Sequence, residues 1–80
     1  MSLHVYPNPS QDVIHVSWNA GVQSEVDFKI IDNMGREVFL KTIPQIPNRL
    51  NEFEFSKTDL LNAGVYFIQM GTTVRKLVVE

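Results

Sequence analysis

The 80-residue chain has no cysteine. A disulfide framework is therefore excluded, as are a thiolate metal site and a reactive thiol. Charge of one sign is also scarce: seven Lys and Arg stand against nine Asp and Glu, interspersed along the chain, for a formal net charge of −2. A surface for nucleic acid or anionic membrane needs a basic stripe, and none is present. No apolar run approaches the length of a membrane span. The N-terminus lacks the charged-then-apolar pattern of a signal peptide. These absences lead to the expectation of one soluble domain over residues 1–80, with residues 1–3 and 80 as candidates for additions made on expression.

What is present is enough apolar material for a compact core. Hydrophobic residues make up 44% of the chain and eight are aromatic, although 80 residues is near the lower end of what folds without a staple. The apolar positions recur with period two. "VIHVSW" sets Ile14, Val16 and Trp18 on one face, and "SEVDFKIID" sets Val26, Phe28 and Ile30 against Glu25, Asp27 and Lys29. "REVFLKT" supplies Val38 and Leu40 to the core, and "NEFEFS" sets Phe53 and Phe55 against Glu52 and Glu54. With "LHVY", "GVYFIQM" and "TVRKLVV" these make about seven short strands.

Turn signals fall between them. "DNMGRE" reads as a hairpin with Gly35 in the left-handed position of a three-residue connection. "GTT" after Met70 reads as a second tight hairpin. "IPQIPNR" is a crossing loop or a proline-limited edge. "SKTDLLNAG" reads as a short turn of helix that tucks Leu60 and Leu61 into the core, with Gly64 releasing the chain into a strand. Tyr66 is expected to pack with its hydroxyl tied to nearby backbone. Seven strands and no long amphipathic helix predict an all-β fold, an antiparallel immunoglobulin-like β-sandwich without the cysteine pair of antibody domains.

Catalysis needs convergent groups, and few candidates exist. His4 and His15 have no clear third partner for a metal. Glu52 and Glu54 alternate with phenylalanines, as on a solvated sheet face. Asn8, Asp12 and Asp32 offer oxygens, but not the spaced acidic loop of a calcium site. The serines lack a nucleophile elbow, "DNMGR" has one glycine and cannot cradle a phosphate, and "NPS" is no glycosylation acceptor. Trp18, Tyr6, Tyr66 and Phe67 could build a sugar platform, against which Trp18 reads more simply as core or rim packing. No catalytic residue, metal, cofactor or small-molecule substrate is assigned, and the chain is not read as an enzyme.

Four stretches, taken together and in order, carry a resemblance. "VYPNPSQDVIHVSW", "FKIIDNMGREV", "LLNAGVYFIQM" and "VRKLVV" resemble the C-terminal sorting domain of the type IX (Por) secretion system, type A. The matching positions are Pro7-Asn8-Pro9, Asp32 with Gly35-Arg36, Leu61-Gly64-Tyr66-Phe67, and Lys76-Leu77-Val78-Val79. The family often ends on lysine, whereas this chain ends on Glu80. The resemblance implies a secretion address at the C-terminus of a larger cargo in Bacteroidetes-type bacteria. The cargo reaches the periplasm by its own signal peptide, and outer-membrane machinery recognises the folded domain. A surface sortase then removes the domain, and the cargo is secreted or held at the cell surface. In isolation the domain is expected to be a monomer or weak dimer. The alternative is a non-catalytic carbohydrate-binding or adhesive sandwich module on a secreted enzyme.

Pro7, Asn8 and Pro9 read as a stiff corner between the first two strands, because each proline fixes its own φ and restricts its predecessor. A rigid corner would isolate the domain from whatever precedes it, and a direct recognition role for Asn8 stays open. The last strand has two readings: a paired strand in which Val74, Leu77 and Val79 pack, or a tag offered to a receptor by strand addition.

Overall fold

A computed structural model describes residues 2–7, 12–56 and 62–80. They form seven antiparallel strands: β1 (Leu3–Tyr6), β2 (Val13–Asn19), β3 (Glu25–Asp32), β4 (Glu37–Pro44), β5 (Leu50–Ser56), β6 (Gly64–Met70) and β7 (Thr73–Val79). Strands β1-β2-β5 make a three-stranded sheet, and β4-β3-β6-β7 make a four-stranded one. This is the order expected of an immunoglobulin-like sandwich. Among the described residues no helix is long and apolar enough to cross a membrane. Asn8, Pro9, Leu60 and Leu61 lie outside the described residues.

The period-two pattern decides which faces meet. Ile14, Val16 and Trp18 of β2 are buried against Phe28 and Ile30 of β3 and Ile68 and Met70 of β6, with Leu3 and Leu77 closing the core. Phe28 contacts Phe39, Phe53 and Phe55 with ring centroids 5.3–5.9 Å apart, in tilted and edge-on geometries. Such pairs add roughly 0.5–1.5 kcal/mol each beyond area burial.

One pole of the sandwich is held by Gln45. Its side-chain oxygen accepts the Trp18 indole N–H at 2.7 Å, and its amide nitrogen donates to the Gln23 carbonyl at 2.9 Å. Its own backbone N–H bonds the Ser24 carbonyl at 2.9 Å. Gln45 follows the four-stranded sheet and Trp18 belongs to the three-stranded one, so the bond ties the two sheets at this end. At the opposite pole lie Pro7, the β3–β4 turn, the start of β6 and the end of β7.

Two expectations need correcting. Val38 and Leu40 are not core residues: they are 43% and 53% exposed, while Phe39 packs inward. The β3–β4 register shifts between Ile30 and Ile31, so Ile30 faces Phe39 and Ile31 faces Glu37. A bulge adds one residue to β4 at this end. The regular pairing beyond it sets Phe39, Lys41 and Ile43 opposite the inward Ile30, Phe28 and Val26, which leaves Val38 and Leu40 outside. In β7 the inward phase is carried by Leu77 and Val79, which leaves Val74 44% exposed. "IPQIPNR" proves to be both a strand end and a crossing: β4 stops at Pro44, an edge strand's end, and the chain then moves to β5.

Candidate recognition face

The β3–β4 turn is built around one carboxylate. Asp32 Oδ1 accepts the backbone N–H groups of Met34 and Arg36, both at 2.9 Å, and Oδ2 accepts Arg36 Nε at 2.8 Å. Asp32 also exchanges backbone bonds with the turn, from Gly35 N–H at 3.0 Å and to the Arg36 carbonyl at 2.9 Å. Gly35 has φ +83°, the left-handed conformation expected of it. The backbone N–H of Arg36, above all, holds the Asp32 carboxyl below the ordinary aspartate value, with the Met34 N–H and the Arg36 guanidinium adding to it and burial opposing. Asp32 is 8% exposed and its oxygens are committed to its own turn, so it offers nothing to a calcium ion.

The other stations close ranks beside it. Asp32 pairs with Tyr66, Tyr66 with Leu77, and Gly64 with Val79. The Tyr66 hydroxyl donates to the Asn62 carbonyl at 2.8 Å, the backbone tie expected for it and the tyrosine corner of immunoglobulin-like folds. Gly64 has φ +151°, while a Cβ there would meet only Tyr66 Cε2 at 3.9 Å. Backbone conformation, not space, calls for glycine at this entry to β6. Pro7 follows a cis peptide bond at the same pole. Asp32, Gly35, Gly64, Tyr66 and Val79 thus all have tasks in folding.

Phe67, Lys76 and Val78 do not share that explanation. They alternate with the inward residues and lie on the outer face of the four-stranded sheet. Phe67 stands between Ile31 and Lys76, and Val65 stands beside Val78. Val38, Leu40 and Val74 extend the same face and are each more than 40% exposed. The solvent side of an antiparallel sheet is ordinarily polar. Here Ile31, Phe67, Val65 and Val78 stand together, with Lys29 and Gln69 separating them from Leu40 and Val74, and exposed apolar clusters mark interaction surfaces. Lys76 and Lys29 supply positive charge; Lys29 meets Glu37 at 3.7 Å. Alternation would have located this face had Val38 and Leu40 not been assigned to the core.

The sugar platform does not assemble. Trp18 and Tyr66 are buried, while Tyr6 stacks on its neighbour His15 within the three-stranded sheet, with centroids 5.2 Å apart. His4 and His15 do not meet, since His4 stands opposite Ser17 and His15 opposite Tyr6 and Glu54. Among the described residues no three His, Asp or Glu converge as metal ligands.

The fold and this arrangement define a β-sandwich module with an apolar outer face. Residues 4–80 match the family model of the secretion system C-terminal sorting domain. The chain belongs to that family, the sorting domains of the Por, or type IX, secretion system. Its members direct cargo secretion and are signals, not catalysts. Membership implies linkage to a cargo and interaction with the secretion machinery, with the cargo delivered to the exterior or the outer-membrane surface. No curated protein matches the chain.

Proposed function

We propose that this domain, of type A, is read by the outer-membrane machinery through the outer face of its four-stranded sheet, centred on Phe67, Lys76 and Val78. A surface sortase then removes it and releases the cargo or leaves it attached to the cell. Supporting this is the division of labour within the family motifs. Asp32, Gly35, Gly64, Tyr66 and Val79 serve the fold, and the remaining motif residues of β6 and β7 share one apolar outer face. Arg36, whose side chain is 74% exposed beside that face's pole, is the further contact.

The test is a reporter carrying a signal peptide and this domain in a host with the type IX system. The intact fusion reaches the cell surface, and a host lacking the translocon retains it in the periplasm. Phe67→Thr with Val78→Thr places strand-favouring, β-branched threonine at both positions while removing the apolar contact. A melt near that of the parent, together with periplasmic retention, supports the face. Export equal to the parent's overturns it. Retention of the intact fusion in the competent host overturns the sorting role of this chain.

A further inference from the structure

Each sheet leaves two edges, and the four edges are not alike. β1 has four residues and runs into Pro7. β4 carries the bulged register, ends on Pro44, and sets Lys41 opposite Phe28 in the inward phase. β7 sets Arg75 in the inward phase, where its Nε donates to the Leu3 carbonyl at 3.1 Å. Shortness, proline, bulges and inward cations are the devices that block strand addition. β5 has none of them over Leu50–Ser56. Asn51 is occupied with the Ile46 backbone on both its amide atoms, which leaves Glu52 to Phe55. Among the described residues no strand pairs with that outer edge.

Charge on this edge has one sign. Glu52 and Glu54 stand two residues apart on the outer face, opposite Ser17 and His15. The Glu54 side chain is 67% exposed and touches His15 Nδ1 at 3.3 Å. With Tyr6 and His15 they line a shallow cleft of about 240 Å³. A strand added here would place alternate side chains beside the two glutamates and the intervening one beside Phe53, which is only half-buried. Opposite charges directly across a strand pair are favourable and like charges are not.

We infer that the β5 edge takes up an extended polypeptide of the pattern basic–apolar–basic by strand addition. The occupant is another polypeptide, not a second copy: no two of the chain's seven Lys and Arg are spaced two apart. Main-chain bonds supply the affinity and the alternate cations supply the selection.

Isotope-labelled domain titrated with an acetylated hexapeptide of alternating lysine and valine tests this. Amide shifts are expected to concentrate on Glu52 to Phe55, with affinity falling as salt rises. Glu52→Lys with Glu54→Lys, checked for an unchanged melt, weakens binding by about tenfold or more and transfers preference to the glutamate–valine peptide. A peptide N-methylated at every residue, unable to donate from the backbone, does not bind. Shifts confined to β4, β7 or the outer face of the four-stranded sheet overturn the inference. So does undiminished binding of the N-methylated peptide or by the double variant, or no binding at all at millimolar peptide.

Discussion

Asp32 shows how much one side chain can organise. A carboxylate that accepts two backbone N–H groups and a guanidinium is favoured in its charged form, which agrees with its lowered pKa. A depressed folded-state value means that the ionised group adds stability above the ordinary aspartate value of about 3.9, and that the gain is lost as pH falls through the folded value. Asp32→Asn keeps an acceptor oxygen but loses the charge. The variant is expected to melt below the parent at neutral pH, with the gap closing as pH falls below about 4. A gap that stays constant down to the acid limit would remove the charge from the account. Gly35 beside it is equally determined. Gly35→Val imposes φ > 0 on a β-branched residue, at a cost on the order of 1–3 kcal/mol. Its melting temperature should fall by several degrees, and coincident melts would refute the left-handed assignment. Gly35 was legible in the sequence because Asp-Asn-Met-Gly has the local chemistry of a turn. Asp32, in contrast, was read only as a motif position and a candidate calcium oxygen, and its bonds to the Met34 and Arg36 N–H groups come from the structure. Gln45 was not legible: a glutamine between two prolines gives no local sign that it will accept an indole N–H from residue 18.

Among the elements, β2, β3 and β5 were legible because each presents one clean apolar stripe. β4 was misread for a physical reason. Pairing with Val26, Phe28 and Ile30 puts Ile43, Lys41 and Phe39 in the inward phase, and a lysine in that phase hides it from a simple apolar alternation. Nothing in "EVFLKT" alone distinguishes Phe39 inward from Val38 and Leu40 inward, because all three are apolar. The same ambiguity in "TVRKLVV" turned Val74 outward, and these errors concealed the outer apolar face, much of which β4 and β7 provide. What locks the far pole is the Trp18–Gln45 bond, which joins the two sheets through a buried polar pair. Gln45→Ala leaves the buried indole N–H without an acceptor, costing about 1–3 kcal/mol. A urea titration should show the midpoint lowered with an unchanged slope. An unshifted midpoint would mean that the sheets are held at this pole by packing alone.

At the scale of the whole molecule, the terminal strand is a paired strand, the first of its two readings. β7 pairs with β6 from Gly64–Val79 to Met70–Thr73, so it completes the four-stranded sheet. Leu77 is fully buried and Val79 is 3% exposed, while Lys76 and Val78 alternate with them toward the outer face. On the proposed reading, recognition and folding use opposite faces of this strand. Removing Lys76 to Glu80 deletes two buried aliphatic side chains, each worth about 1.5–3 kcal/mol by burial. It also strips β6 of its partner at the end where Gly64 meets Val79. A domain of this length has about 4–12 kcal/mol of stability in all. Circular dichroism and urea titration of the truncated domain should show a chain that is largely unfolded or loses most of its stability. Secretion failure on truncation then reports lost folding as readily as a lost address. Outward substitutions at Lys76 and Val78, which leave Leu77 and Val79 in place, separate the two. If the truncated domain instead keeps the parent's cooperative transition, β7 is an appended tag, and the sandwich is held by its first six strands.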